Sequence, residues 1–185
     1  MGQSKAWLPF GNELLLQRVV RRLSEVASPI VVVRAPGQDL PALPPETLVT
    51  EDAVEGRGPM QGIAMGLAAL EHAVDVAFVS STDAPFVDPA LVRLLYALRT
   101  ASYDIVVPHA FGRHHPLAAI YAVNVLREAE RMLSENQLRV MDLLGRVRTL
   151  VVGEEQLAAV DPRLLALSNV NTPADYQAAL AEVEP

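Results

Sequence analysis

The sequence predicts a three-layer α/β fold in which a mostly parallel sheet is covered by helices on both faces. Short, continuously apolar runs, such as residues 30–33 and 76–80, alternate along the chain with longer amphipathic segments. Uninterrupted apolar runs are typical of strands that are buried on both faces. Alternation of strands with helices favours parallel pairing. We therefore expect a Rossmann-like sheet.

The individual elements follow from periodicity and from Pro and Gly signals. In the first helix Leu15, Val19 and Leu23 share one stripe, and Pro29 ends the segment. Thr172 is expected to cap the last helix, with Pro173 as its first residue. The predicted strands are residues 30–33, 47–50, 76–80, 104–108, 114–122 and 147–152, and the predicted helices are residues 14–26, 60–73, 89–100, 123–134 and 138–145, with a last one after 172.

Composition limits the class of protein. The 185 residues fit one domain, residues 1–185, and 51% of them are apolar. A net charge of −7 argues against a general nucleic-acid binder. The absence of cysteine excludes disulfides and thiolate chemistry. No apolar run approaches the roughly 20 residues of a membrane span, so we expect a cytoplasmic protein with no membrane partner.

Lys5 is the only lysine in a chain that carries fourteen arginines. An ammonium is a compact, movable point charge, whereas a guanidinium is a planar fork. Phosphate oxygens are a common target of such a point charge. Lys5 is therefore a candidate phosphate ligand, and the alternative is a solvated lysine near the N-terminus.

Two aspartates lie where ligands bind in such sheets, beyond the carboxyl ends of strands. Asp83 follows the apolar strand 76–80 in a Pro-limited turn, where a carboxylate could coordinate Mg²⁺ or cap the next helix. Asp52 follows the strand predicted at 47–50. It could meet a ribose, a base edge or a turn N–H. Downstream, Gly58 and Pro59 open the helix that starts near Met60, where small residues let a phosphate or a base approach backbone N–H groups.

Further polar side chains are candidates for substrate contacts. Arg113 and His115 lie in a run of donors, and Arg139 stands before a short helix. Asn169 and Asn171 are one residue apart, so they share one face of an extended segment. Solvated side chains and loop closure are the alternative interpretations.

Five motifs in order resemble those of the molybdenum cofactor guanylyltransferase family, over essentially the whole chain. The start of the sequence is similar to the second half of the family's N-terminal signature, Leu-Ala-Gly-Gly-x-Ser-x-Arg-Met-Gly-x-x-Lys-x-x-Leu. The Gly58 turn is similar to the family's Gly-Pro-Leu-x-Gly, and the Asp83 turn to Pro-Cys-Asp-x-Pro-Phe, with Thr82 in place of Cys. The matching segments are Met1–Leu8, Gly58–Gly62, Ser81–Phe86, His115-Pro116 with Arg139-Val140, and Asn169–Pro173.

The resemblance implies transfer of GMP from GTP to the molybdopterin cofactor, with release of pyrophosphate. It implies that Lys5 neutralises phosphates, that Asp52 contacts the guanosine and that Asp83 holds Mg²⁺. The pterin would lie toward Arg113, His115, Arg139, Asn169 and Asn171. The product would pass to a molybdoenzyme or its chaperone.

Two departures accompany the resemblance. Arg34 stands where some members carry an Asn. The family's signature also begins with a strand and a Gly-rich loop ahead of the position of Met1, so we interpret Met1 as an internal methionine or this sequence as a shortened one. For the chain as written we expect an open sheet edge beside residues 30–33 and weak binding of nucleotide.

Three other functions stay open at this point. One is cytidylyl transfer to the same cofactor, and another is a non-catalytic module that binds nucleotide or pterin. The third is a sugar-phosphate nucleotidyltransferase, which the short C-terminal part and Asn169–Pro173 disfavour.

Overall fold

A computed structural model describes residues 4–52, 54 and 56–183. The signature residues Met1–Gln3, and Glu55 of the turn before the second helix, lie outside the described residues. The strands are β1 (Pro9–Phe10), β2 (Glu13–Leu14), β3 (Val31–Arg34), β4 (Leu48–Glu51), β5 (Val76–Ser80), β6 (Ile105–Ala110), β7 (Arg113–His114), β8 (Ala118–Ala122) and β9 (Thr149–Val152). The helices are α1 (Leu15–Ser24), α2 (Gly58–Leu70), α3 (Pro89–Leu98), α4 (Leu126–Ser134), α5 (Val140–Leu144), α6 (Glu154–Ala158) and α7 (Pro173–Ala181).

The α/β class is confirmed, but the sheet is only partly parallel. Strand β8 runs antiparallel to both of its neighbours, β5 and β6, while β6 pairs in parallel with β9. Strand β8 follows β6 through a short hairpin. Parallel pairing needs a crossover of a dozen or more residues, so the chain can only return antiparallel here.

The strand expected at residues 114–122 is divided into β7 and β8. Pro116 separates the two pieces, and proline has no N–H to donate to a ladder. The N–H of Ala118 donates to the carbonyl of His115, closing a turn between the two strands. Three of the labelled elements were not predicted: strands β1 and β2, which form a hairpin, and the short helix α6.

Helices cover both faces of the five-stranded sheet. On one face α2, α4 and α5 contribute Leu67, Met132 and Leu143 to the larger apolar core. On the other face α3 and α6 contribute Leu95 and Leu157 to a second core. This arrangement confirms the predicted three layers. In the part of the chain that the structure describes, no helix is both long and apolar enough to span a bilayer.

The ends of the parallel strands meet at one edge of the sheet, which we call the carboxyl edge. Strands β3 and β4 end together, as do β6 and β9. The segment at Ser4 and Lys5 joins β3 to β5, because the Ser4 hydroxyl accepts a hydrogen bond from Gln38, just past β3, and Lys5 contacts Asp83, just past β5. The carboxyl edge is therefore where the loops that follow several strands converge.

A gap separates β3 from β5. Among the described residues β3 pairs with β4 alone and β5 with β8 alone. The two strands and the flanking helices α1, α2 and α3 enclose a largely apolar cavity of about 670 Å³. The expected open edge beside residues 30–33 is thus present in the described part of the chain.

The hydrogen bonds of β3 show which residues face this gap. The carbonyls of Ile30 and Arg34 accept hydrogen bonds from the strand-β4 side. Residues in a parallel ladder alternate in the side to which their N–H and C=O groups point. Val31 and Val33 therefore direct their backbone polar groups away from β4, toward the cavity.

Candidate active site at the carboxyl edge

Lys5 and Asp83 form an ion pair at the carboxyl edge, although 78 positions separate them in the sequence. The Lys5 ammonium lies 2.6 Å from Oδ2 of Asp83 and donates to Oδ1 of Asn171 at 3.1 Å. The lysine side chain is one-third exposed, whereas only 15% of the aspartate side chain is exposed. Two predicted site residues, Asp83 and Asn171, thus hold the ammonium group of a third, Lys5, whose side chain stays partly open to solvent.

The loop after β5 is held by the segment that precedes α7. The N–H of Val170 donates to the backbone carbonyl of Asp83 at 2.8 Å. The side-chain amide of Asn169 donates to the hydroxyl of Ser81 at 3.4 Å. Asn169 is therefore part of the same site, where it contacts Ser81, two residues before Asp83.

A capping box positions Asn171. Thr172 caps α7 as predicted, accepting from the N–H of Asp175 at 3.1 Å. Oδ2 of Asp175 accepts in return from the N–H groups of Asn171 and Thr172 at 3.0 and 2.8 Å. These backbone hydrogen bonds, the one from Thr172 first, lower the pKa of Asp175. The helix start thus fixes the amide that contacts Lys5.

Asp83 has the free ligand capacity that a divalent cation needs. Its second oxygen, Oδ1, is buried and has no hydrogen-bond partner. Within residues 4–52, 54 and 56–183, no three acidic or imidazole side chains form a ready-made metal cage. Mg²⁺ commonly takes one or two carboxylates and completes its shell with water and substrate phosphates, so a lone orphaned carboxylate oxygen fits this ion.

A second group of predicted residues lies at the start of α2. Asp52 has one buried oxygen, Oδ1, with no partner, and burial raises the pKa of its carboxyl group. A Cβ atom at Gly62 would lie 3.9 Å from this oxygen. Gly58 has a φ of +68°, which side chains rarely tolerate, and Pro59 follows in the first turn. Small residues thus lie next to the buried carboxylate at the helix start.

The cavity joins the two groups. Pro59 and Gly62, beside Asp52, line the same cavity as Ser81 and Thr82, beside Asp83. Arg34 lies between the groups at the end of β3, where its guanidinium pairs with Glu51 at 2.6 Å. Its Nε is buried without a partner.

Arg113 and His115 lie on the β6–β7 hairpin, at the same edge of the sheet. Arg113 is exposed. His115 is buried, its Nε2 lies 3.2 Å from the carbonyl of Ala110, and burial lowers the pKa of the imidazole. Burial thus disfavours the charged form of the ring, which supports the hairpin through its contact with Ala110.

Arg139 is exposed and occupies the N-cap position of α5. Helix α4 starts beside the beginning of β5, where Val123 donates to the carbonyl of Asp75, and runs to the opposite edge. There Arg57, the residue before α2, donates to the carbonyl of Leu133. Arg139 follows Leu133 by six residues, in the loop between α4 and α5.

Sequence reasoning missed the residues that hold the site together. Ser81, Asp175 and Gln38 act through hydrogen bonds to Asn169, Asn171 and Ser4. Only the Thr172–Asp175 spacing carried a signal, because Thr followed three residues later by an acidic group resembles a capping box.

The α/β sheet carries a lysine–aspartate pair at its carboxyl edge, and a glycine-lined helix start lies across the cavity from this pair. The fold is that of nucleotidyltransferases. The fold matches a crystal structure of 2-C-methyl-D-erythritol 4-phosphate cytidylyltransferase from Thermus thermophilus, with a TM-score of 0.72, 22% identity and coverage of 98% of this chain and 94% of that one. At this identity the likeness shows the fold alone.

The sequence pattern of the MobA-like NTP transferase domain matches residues 1–149, and the chain belongs to this family. A probable molybdenum cofactor guanylyltransferase of Pelotomaculum thermopropionicum is 34% identical over 176 residues, which are 95% of this chain and 83% of that protein. The crystal structure of molybdopterin-guanine dinucleotide biosynthesis protein A from Archaeoglobus fulgidus has a TM-score of 0.81 and 25% identity, covering 98% of this chain and 91% of that one.

Proposed function

We propose that this protein is a guanylyltransferase that transfers GMP from GTP to the molybdopterin cofactor. The terminal phosphate of the pterin attacks the α-phosphate of GTP, a new phosphoanhydride bond forms, and pyrophosphate leaves. The observation that carries the proposal is the Lys5–Asp83–Asn171 cluster with its orphaned carboxylate oxygen. The family and the relatives named above supply the chemistry that this cluster serves.

Lys5 is proposed to neutralise the triphosphate. Its ammonium is held at the carboxyl edge by Asp83 and Asn171, and one-third of the side chain is exposed. The attacking phosphate already carries negative charge, so it needs little activation by a base. Catalysis then consists mainly of positioning and of stabilising charge on the α-phosphate and the leaving group.

Asp83 is proposed to hold Mg²⁺ through its free Oδ1, and the ion would supply charge stabilisation to the phosphates when bound. On the other side of the cavity, Asp52, Gly58 and Pro59 are proposed to bind the nucleoside. The buried Oδ1 of Asp52 can accept from a base or ribose, and the start of α2 offers N–H groups.

The pterin is proposed to lie on the opposite side of Asp83, toward the β6–β7 hairpin. Arg113 and Arg139 are exposed cations, and Asn169 and Asn171 offer amides beside the reacting phosphates. His115 would contribute through the hairpin that it supports. We further propose that the reaction takes place in the cytoplasm within a single domain, and that the product passes to a molybdoenzyme or its chaperone.

The test compares GTP with CTP as donor in the presence of Mg²⁺ and molybdopterin, with pyrophosphate release as readout. Release with GTP and little with CTP supports the proposal. Release with CTP instead would reassign the protein to cytidylyl transfer. Binding of either nucleotide without any release would indicate a non-catalytic module, and release only with a sugar 1-phosphate would indicate the sugar enzyme.

Asp83→Asn is the first variant to measure, with Asp88→Asn as its matched control. Asp88 caps α3 through the N–H of Ala90, and Asn caps a helix as well as Asp does. We expect Asp83→Asn to lower Mg²⁺-dependent turnover by about 100-fold or more, as loss of a major charge-stabilising group does. Calorimetry should show that Mg²⁺ no longer tightens GTP binding. Equal behaviour of the two variants would remove Asp83 from the mechanism.

A further inference from the structure

The tip of the β6–β7 hairpin carries an aromatic residue in an unfavourable backbone conformation. Pairing of Ala110 with Arg113 leaves a two-residue turn, Phe111-Gly112, and φ is positive at both positions, +53° and +71°. Turns of this kind favour Asn, Asp or Gly at the first position, because other residues are strained there. Phe111 therefore lowers the stability of the turn that it occupies.

Burial does not compensate for this strain. Phe111 is 59% exposed, although large apolar side chains normally gain stability by leaving water. Backbone strain that is retained without a structural gain is found preferentially at functional sites. The strain and the exposure of Phe111 together therefore favour a function in binding over a function in folding.

The ring is held in place although it faces solvent. It packs in a T-shaped arrangement with the ring of buried His115, with 6.2 Å between the centroids and 74° between the planes. The N–H of Phe111 donates to Oε1 of Glu154 at 2.6 Å, which ties the turn to the start of α6. The N–H of His115 donates to the carbonyl of Pro108, closing the base of the hairpin. A preorganised aromatic face loses little entropy when a ligand stacks on it.

The hairpin lies on the side of Asp83 where the pterin is proposed to bind. Strand β8 separates β5 from β6, so the two strands that lead to Asp83 and Phe111 are two strand spacings apart, about 10 Å. Asp52 and the start of α2 lie on the other side of Asp83, across the cavity. Arg113, two residues after Phe111 in the same hairpin, is an exposed cation.

We infer that Phe111 is a stacking platform for the pterin ring of the acceptor, with Arg113 of the same hairpin for the phosphate or the polar edge of the pterin. The inference rests on the proposed function and specifies its acceptor site. A flat heteroaromatic ring bearing a phosphate matches an exposed aromatic face with a guanidinium in the same hairpin. The nucleoside is assigned to the opposite side of Asp83, so the hairpin is free for the second substrate.

The test uses Phe111→Asn, Phe111→Tyr and the control Tyr96→Asn. Asn tolerates positive φ well, so Phe111→Asn is expected to raise the melting temperature by about 3 °C. The KM for molybdopterin should rise about tenfold, which is typical for loss of base stacking on an aromatic ring. The KM for GTP and the kcat should change little. Phe111→Tyr keeps the aromatic face and should retain the low KM.

Tyr96 is a matched control because it is 60% exposed and lies on α3 rather than in the hairpin. Tyr96 lines the cavity and not the hairpin, so Tyr96→Asn is expected to leave the KM for molybdopterin unchanged. If Phe111→Asn gains stability and keeps the wild-type KM for molybdopterin, the ring has no part in binding and the inference is overturned. A parallel rise in both KM values would also overturn it.

A binding assay separates this inference from the proposed function. Neopterin fluorescence is titrated with the wild-type protein and the same three variants. Saturable quenching by wild type, Phe111→Tyr and Tyr96→Asn, but not by Phe111→Asn, supports the platform even if no GMP is transferred. Equal quenching by all four proteins, or none by the wild type, overturns it, whatever the outcome for GMP transfer.

Discussion

At the scale of single residues, Asp83 and Asp52 are two carboxylates with different environments. Each has one buried oxygen without a hydrogen-bond partner. The other oxygen of Asp83 is paired with Lys5, whereas burial raises the pKa of Asp52. A buried carboxylate without a partner costs stability. Both costs are understandable if a ligand supplies the missing partners.

Asp52→Asn should stabilise the protein at neutral pH. A raised pKa in the folded state means that this state favours the protonated form, so the stability that protonation confers is lost as the pH rises from about 4 through the raised pKa. Asn remains neutral throughout. We therefore expect the variant to melt at a higher temperature than the wild type at pH 7, with a difference that shrinks toward pH 4. Melting curves at several pH values check this, and a constant difference would contradict the assignment.

Lys5→Arg should impair GMP transfer although it keeps the positive charge. The ammonium lies between one carboxylate and one amide oxygen, at 2.6 and 3.1 Å. A guanidinium is larger and planar, so it cannot place a point charge in the same position. We expect a loss of roughly tenfold or more in kcat/KM, as for removal of a well-placed charged hydrogen bond. Wild-type kinetics with a normal circular dichroism spectrum would remove Lys5 from the mechanism.

At the scale of elements, helix α2 contains two glycines with different surroundings. One packs against β3, and the other lies beside the proposed nucleoside site. Both Gly62 and Gly66 lie inside the helix. A Cβ at Gly66 would meet Val33 at 3.5 Å, an ordinary packing distance, whereas a Cβ at Gly62 would approach the buried oxygen of Asp52 at 3.9 Å. The same substitution at the two positions therefore has different consequences for a ligand.

Gly62→Ala and Gly66→Ala form a matched pair. Each removes a helix-interior glycine and should stabilise the fold by about 0.5–1 kcal/mol. Only Gly62→Ala adds a methyl group in front of Asp52, so only this variant should bind GTP more weakly, by about tenfold for a displaced polar contact. Thermal melting and GTP titration of both variants provide the check. Equal GTP affinity in the pair would place the nucleoside elsewhere.

At the scale of the whole molecule, the gap between β3 and β5 is the main departure from a continuous sheet. Val31 and Val33 direct backbone groups into it, and its walls are largely apolar. Unpaired strand edges next to apolar surface favour pairing with another strand.

Val33→Pro should reduce association between molecules. The proline removes an N–H that faces the gap, a position where proline is tolerated at an edge. Val32→Pro is the comparison variant, since it removes an N–H that faces β4, breaks a hydrogen bond of the ladder and should lower the melting temperature. We expect the sedimentation coefficient of the wild type to rise with concentration and that of Val33→Pro to rise less. Identical, concentration-independent values would contradict the prediction.

Most of the fold could be predicted from the sequence. Strand β5 has the predicted bounds, and Thr172 caps α7 as expected, because these features depend on local periodicity and on local hydrogen bonds. The β1–β2 hairpin escaped prediction because each strand has two residues, too few to show a period. Strand β8 was assigned the wrong bounds because the turn at Pro116 was not recognised.

The sequence by itself determined the α/β class, the order of the elements and the candidate residues at the ends of strands, because apolar periodicity and turn chemistry are local properties. Only the tertiary structure decided that Lys5, Asp83 and Asn171 meet, that Asp52 keeps a buried oxygen without a partner, and that Phe111 faces solvent in a left-handed turn. These facts depend on which strands become neighbours. Pairing between distant segments is set by the packing of the whole chain, and a single sequence does not display it.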